Sequence, residues 1–106
     1  MAELLSDIAI QRGLGSLPGW SRRGDMLTRT YAFRTFAEAI GFVNRVAGEA
    51  EAANHHPDID IRYSRVTLTL STHDAGGITQ SDLELARSID SETATEDSRD
   101  DGAAPA

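Results

Sequence analysis

Asp58-Ile59-Asp60-Ile61-Arg62-Tyr63-Ser64-Arg65-Val66-Thr67-Leu68-Thr69-Leu70 is the stretch that decides the fold. Ile59, Ile61 and Tyr63 alternate with polar residues, and Val66, Leu68 and Leu70 do the same. A period of two places each set on one face of a strand. The gap between the two runs, Ser64-Arg65, is short enough for an antiparallel hairpin.

Upstream, Thr35 followed three residues later by Glu38 forms a capping box, in which each side chain satisfies a free amide of a helix's first turn. Phe36, Ala39, Ile40, Val43, Val46, Ala47 and Ala50 recur at helical spacing and give one apolar stripe. That helix runs to about Ala53, and Pro57 prevents much further extension. Earlier still, Trp20 to Phe33 reads as two short strands around Arg22-Arg23-Gly24-Asp25, with Leu27, Arg29, Tyr31 and Phe33 on one parity. Leu17-Pro18-Gly19-Trp20 is a turn, and residues 7–14 are a short helix capped by Ser6 or Asp7. Downstream, Ser71 to Gly77 is a glycine-bearing loop. Thr79 and Asp82 open a last helix carrying Leu83, Ala86 and Ile89 or Asp90. The order α-β-β-α-β-β-α predicts an α+β fold: a four-stranded antiparallel sheet packed on one side by helices.

This domain spans residues 1–90. Residues 91–106 hold Glu92, Glu96, Asp97, Asp100 and Asp101 against Arg99 alone, with no Val, Ile, Leu or aromatic residue. Such a segment lacks the apolar surface to offset its ordering entropy, so it reads as an acidic disordered tail. The tail contributes −4 of the net charge of −7. The 106-residue length allows one domain. A chain of this size buries roughly 60–68% of its unfolded surface, so association of subunits would add useful stability.

The acidic balance argues against a nucleic-acid binder with a general basic footprint. All ten basic residues are arginine, which removes Schiff-base chemistry and a phosphate-loop lysine. With no cysteine there is no thiol nucleophile, thiolate metal site or disulfide. No apolar run approaches the roughly 20 residues of a membrane span, and the N-terminus does not read as a signal peptide. These features predict a cytoplasmic protein that does not engage membranes.

Acid–base chemistry near neutral pH therefore falls to three histidines or to shifted carboxylates. His55 and His56 follow the long helix directly, and His73 lies just beyond the last strand. The hairpin brings the start of its first strand beside the end of its second, so all three imidazoles head to one place. They could ligate a metal such as zinc, with Glu51, Asp58 or Asp74 nearby. They could instead act in proton transfer. Adjacent histidines tend to point apart, which makes joint ligation awkward. Glu51 lies one helical turn before His55 and is placed to orient it. Asp82 is accounted for by its capping position alone.

The run Glu51-Ala52-Ala53-Asn54-His55-His56-Pro57, then Tyr63, His73 and Asp82 at their spacings, resembles the signature of the pterin-4a-carbinolamine dehydratases. Leu17-Pro18-Gly19-Trp20, the segment from Phe33 to Phe42, and Thr67 to His73 are similar to that family as well. The likeness covers about residues 5–90, and the acidic tail has no counterpart in it.

The resemblance implies dehydration of 4a-hydroxytetrahydropterin to the quinonoid dihydropterin, in tetrahydrobiopterin recycling, by a homodimer or homotetramer. It implies no metal and no organic cofactor, and a functional link to an aromatic amino-acid hydroxylase. It assigns catalysis to Glu51, His55, His56 and His73. It places Pro57, Ser71, Thr72 and Asp82 at the pterin pocket, with Trp20 nearby. His56 and His73 are then the proton-transfer pair, with His55 and Glu51 binding and orienting. The family also includes partners that stabilise other assemblies, such as a transcription-factor dimer or a carboxysome-associated enzyme, so an interaction role is the alternative.

Overall fold

The computed structural model describes residues 3–100, and side chains among them as far as Thr93. Seven principal elements follow one another: α1 (Asp7–Leu14), β1 (Ser21–Arg23), β2 (Met26–Ala32), α2 (Phe36–Ala53), β3 (Asp58–Arg62), β4 (Arg65–Leu70) and α3 (Gln80–Asp100). The strands form one antiparallel sheet in the order β1-β2-β4-β3. This is the α+β architecture and element order that the sequence predicts.

Alternation decides which face of the sheet is covered. Leu27 and Tyr31 of β2 share a parity with Val66, Leu68 and Leu70 of β4, and all five are buried. α2 and α3 pack over that face, with Phe42, Val46, Leu85 and Ile89 among the fully buried side chains. Tyr31, Phe33 and Phe42 form an aromatic cluster with ring centroids 4.7 and 5.0 Å apart. The opposite face carries Thr28, Thr30, Thr67 and Thr69, as expected of an antiparallel sheet with one wet side.

Local capping follows the sequence closely. Ser6 caps α1 by accepting from the Ala9 amide at 3.1 Å, and Thr35 caps α2 by accepting from the Glu38 amide at 3.0 Å. The return half of the Thr35 capping box differs, because the Glu38 carboxylate accepts from the Arg34 amide and also pairs with the Arg34 guanidinium. The buried stripe of α2 is Ala39, Phe42, Val46 and Ala50. Phe36 and Ala47, expected in the stripe, are exposed, whereas Phe42 fills the centre of the core.

The hairpin turn lies one residue earlier than the sequence suggests. Arg62 pairs with Arg65, so the loop is Tyr63-Ser64, with Tyr63 at φ +54° and its ring in solvent. A left-handed first loop position matches the strand twist better than an ordinary turn would. Tyr63 thereby leaves the alternation of Ile59 and Ile61.

α3 also runs past the boundary expected after residue 90. Thr93 is buried one turn beyond Ile89, and its hydroxyl donates to the Asp90 carbonyl at 2.8 Å. Glu92 lies 3.8 Å from Arg45 of α2. These contacts extend the helix–helix packing into the segment that composition alone marks as disordered. The part of the expected tail from residue 101 onward lies outside the described residues.

Candidate active site

Two chain ends meet at one edge of the sheet. The register of the hairpin pairs Asp58 with Thr69, and its continuation sets His56 level with Ser71 and His55 level with Thr72. The helix end before β3 and the loop after β4 are thus neighbours by topology. Between them lies a cleft of about 250 Å³ lined by Asn54, His55, His56, Ser71, Thr72, His73 and Asp74.

Asn54 sets the angle at which the histidines leave α2. It sits at φ +51°, and its amide and that of His55 return to the Glu51 and Ala50 carbonyls at 3.2 and 3.0 Å. This is a Schellman ending, in which a left-handed residue stops the helix and turns the chain sharply. The helix therefore ends at Asn54 through its own geometry, three residues before Pro57. Asparagine just after an apolar-periodic helix is the sequence signal for such a stop.

The two adjacent imidazoles point to different carboxylates. His55 Nε2 lies 2.5 Å from Asp82 Oδ1, and His56 Nε2 lies 2.6 Å from Glu51 Oε2. The sequence pairs Glu51 with His55, one turn apart. The structure gives Glu51 to His56 because the Schellman reversal swings His55 inward beneath the loop. A carboxylate only accepts, so each of these histidines donates from Nε2. His73 opens the short 3-10 turn His73–Ala75 and is exposed, and its imidazole has no hydrogen-bond partner among the described residues. Gly76, at φ +81°, closes that turn, and the Gly76 amide donates to the Thr72 carbonyl at 2.9 Å.

Asp82 is fully buried. Its Oδ2 accepts from the Thr79 amide and the Thr72 hydroxyl, both at 2.9 Å. The capping role read from the sequence is present, and the same carboxylate also holds His55. The Thr72 hydroxyl proton is committed to Asp82, so Thr72 offers a ligand its backbone rather than a free O–H. Ser71 likewise donates to the Asp25 carbonyl at 3.1 Å.

The structure brings His55, His56, His73, Ser71 and Thr72 around one cleft, with Glu51 and Asp82 behind two of the histidines. Pro57 follows His56 without lining the cleft. Trp20 stands apart from it, buried beside the middle of α3 with its indole N–H donating to Asp90 at 3.0 Å. Asn54 and Asp74 line the cleft in addition. Among the described residues no group of three or more His, Cys, Asp or Glu side chains is arranged to hold a metal ion.

The family model for pterin 4 alpha carbinolamine dehydratase matches residues 3–92. A protein of Thermomicrobium roseum named "Putative pterin-4-alpha-carbinolamine dehydratase" is 59% identical over 85 residues, covering 80% of this chain and 91% of that one. A Roseiflexus protein of the same name is 56% identical over 90 residues, covering 85% and 97%. Among solved structures, the transcriptional coactivator/pterin dehydratase from Brucella melitensis superposes with a TM-score of 0.79 at 34% identity, covering 82% of this chain and 95% of that one. A pterin dehydratase-like protein described as a RuBisCO assembly factor in the alpha-carboxysome aligns with a TM-score of 0.56 at 23% identity, covering 68% and 83%, a likeness of fold alone. By the match of the family model across almost the whole described chain, together with these relatives, the protein belongs to the pterin 4 alpha carbinolamine dehydratase family.

Proposed function

We propose that this chain dehydrates 4a-hydroxytetrahydropterin to the quinonoid dihydropterin and water, with His56 and His73 moving the protons and His55 orienting the ring. The observation that carries this reading is one cleft bordered by three imidazoles, two of which rest on carboxylates. In the reaction the C4a–O bond breaks and its electron pair leaves on oxygen, which takes up a proton and departs as water. The N5 lone pair forms the N5=C4a bond, and N5 gives up its proton. One group must therefore donate near C4a and another must accept near N5. Imidazole does either near neutral pH, and such help is worth on the order of 10²–10⁴-fold.

Glu51 accepts from His56 Nε2 and orients its imidazole. The backbone of Ser71 to His73 offers amides and carbonyls to the polar edge of a flat heterocycle. Neither step calls on a metal or an organic cofactor. This activity would place the protein in tetrahydrobiopterin recycling, beside an aromatic amino-acid hydroxylase, in the cytoplasm. Among the described residues no helix is long and apolar enough to cross a membrane.

An oligomer fits the same reading. β3 is an edge strand whose five residues are all exposed, including Ile59 and Ile61 on the parity of the core face. An uncapped apolar edge favours pairing with another chain, so we infer a homodimer through β3, with a homotetramer as the larger alternative. Light scattering on the purified protein distinguishes these from a monomer. A second role as an assembly partner has one specific support, the coactivator name carried by the Brucella relative.

The deciding experiment follows decay of chemically generated 4a-hydroxytetrahydropterin by ultraviolet absorbance, with wild type and His56→Ala compared. Acceleration by wild type that the variant loses is the expected result. An unchanged spontaneous rate with both proteins would overturn the reading and turn attention to protein partners.

A further inference from the structure

Thr79 lies outside the cleft and is 1% exposed, yet its hydroxyl is tied into the histidine site. The Thr72 and Thr79 hydroxyl oxygens are 2.8 Å apart, and geometry alone does not say which donates. The surrounding bonds do. Thr72 spends its single proton on Asp82 Oδ2 at 2.9 Å, because a carboxylate only accepts. Thr72 must therefore accept from Thr79. Thr79 Oγ1 in turn accepts from the Ser81 amide at 3.2 Å, one of the free donors at the start of α3. Every proton in the chain then has one direction: Ser81 amide to Thr79, Thr79 to Thr72, Thr72 to Asp82. The far oxygen of Asp82 receives the proton on His55 Nε2.

We propose that Thr79 is a positioning residue for His55. Its hydroxyl polarises Thr72, fixes the rotamer of Asp82, and thereby holds the His55 proton on Nε2 with Nδ1 free. Its role in turnover rests on the dehydratase reading above; its role in fixing the tautomer does not. Directional chains of this kind strengthen each member, whereas a partly satisfied buried network does not hold a unique arrangement.

The test uses Thr79→Val, which removes the hydroxyl at constant shape, Thr79→Ser, which restores it, and Thr72→Val with the double variant. With three histidines in the chain, ¹⁵N spectra of the imidazoles can be assigned one by one. Wild type should show His55 as the Nε2–H tautomer, Thr79→Val a mixture of tautomers, and Thr79→Ser the wild-type pattern. In the dehydration assay Thr79→Val should lose roughly five- to tenfold in rate, the worth of about one hydrogen bond. Thr72→Val should lose as much, and the double variant no more than either single one. A His55 signature unchanged in Thr79→Val overturns the proposal, as do losses that multiply in the double variant or are not rescued by serine. If wild type shows no dehydratase activity the functional reading fails, and the ¹⁵N spectra still decide the relay.

Discussion

Asp90→Ala should destabilise the protein more than a single contact would suggest. Asp90 Oδ1 accepts from the Tyr31 hydroxyl at 2.7 Å, the Trp20 indole N–H at 3.0 Å and Arg29 Nη1 at 3.2 Å. Tyr31 and Trp20 are 5% and 6% exposed, so alanine strands two buried donors. Each stranded donor costs about 1–3 kcal/mol. Arg29 keeps its bond to the Pro18 carbonyl and reaches solvent, so its loss adds at most about 1 kcal/mol. The sum is about 4 kcal/mol, a large share of the roughly 5–15 kcal/mol that holds a domain together. Trp20 is the single tryptophan and sits at the lesion, so urea unfolding followed by its fluorescence reads the effect directly. The mechanism makes a sharper demand. In a Tyr31→Phe background one of the stranded donors is already gone, so Asp90→Ala should cost about 1–3 kcal/mol less there. Strict additivity of the two substitutions, or a total cost below about 1 kcal/mol, would refute this account.

Asp82→Asn should keep the fold and slow dehydration by roughly 10- to 100-fold, the worth of one charged hydrogen bond. Its amide oxygen must serve Thr72 and Thr79, which turns the NH₂ toward His55 and moves the imidazole proton to Nδ1; an unchanged rate in a folded variant contradicts this. Burial, reinforced by the Asp90 carboxylate, pushes the Tyr31 hydroxyl well above its ordinary value of 10. The unfolded chain then releases this proton first, so stability is intact below about pH 10. It falls by up to about 1.4 kcal/mol per pH unit above that, and urea midpoints between pH 9 and 11 should flatten in Tyr31→Phe. The Glu49 carboxyl is raised from 4.5, first by its hydrogen bond with Glu92, then by burial and repulsion from that group. Its favourable contribution is therefore present in acid and lost as pH rises, so Glu49→Gln should stabilise the neutral protein. Midpoints from thermal melts should show that gain disappearing near pH 4, and a destabilised variant at neutral pH would count against it.

The parts of the fold that were legible in the sequence are those with a period. Val66, Leu68 and Leu70 alternate and are buried together, and Thr35 caps α2 at the residue expected. The convergence of His55, His56 and His73 was legible for a related reason, since hairpin register alone determines which chain ends meet. What was hidden depends on backbone dihedrals and on the third dimension. The left-handed Asn54 decides which histidine faces Glu51, and the left-handed Tyr63 decides the turn. The Asp82–His55 and Asp90–Trp20 contacts join residues 27 and 70 positions apart, and no local pattern encodes them. The family likeness puts Trp20 near the pterin pocket; the structure ties its indole to Asp90 and leaves it outside the cleft lining. The run of α3 past residue 90 has no local signal, because composition does not show that Thr93 continues the buried face set by Ile89.

The two histidine–carboxylate pairs differ little in length, and their surroundings set them apart. The His56 and Glu51 side chains are 57% and 76% exposed, whereas those of His55 and Asp82 are 15% and 0% exposed. Solvent screens the first pair, whose coupling is worth about 0–1 kcal/mol, so a change at His56 leaves the fold undisturbed. The second pair is dry and held by two further donors on Asp82, so a change at His55 must be answered by Asp82, Thr72 and the start of α3 together. An acid–base group has to change state in every turnover; an orienting group must not. On the proposed dehydratase reading, this contrast in exposure favours proton transfer at His56 and orientation at His55, with the exposed imidazole of His73 in the other proton-transfer role. It follows that Glu51→Gln should leave the melting temperature nearly unchanged, and that Asp82→Asn should lower it. Equal effects of the two substitutions on stability would mean that burial does not separate the histidines in this way.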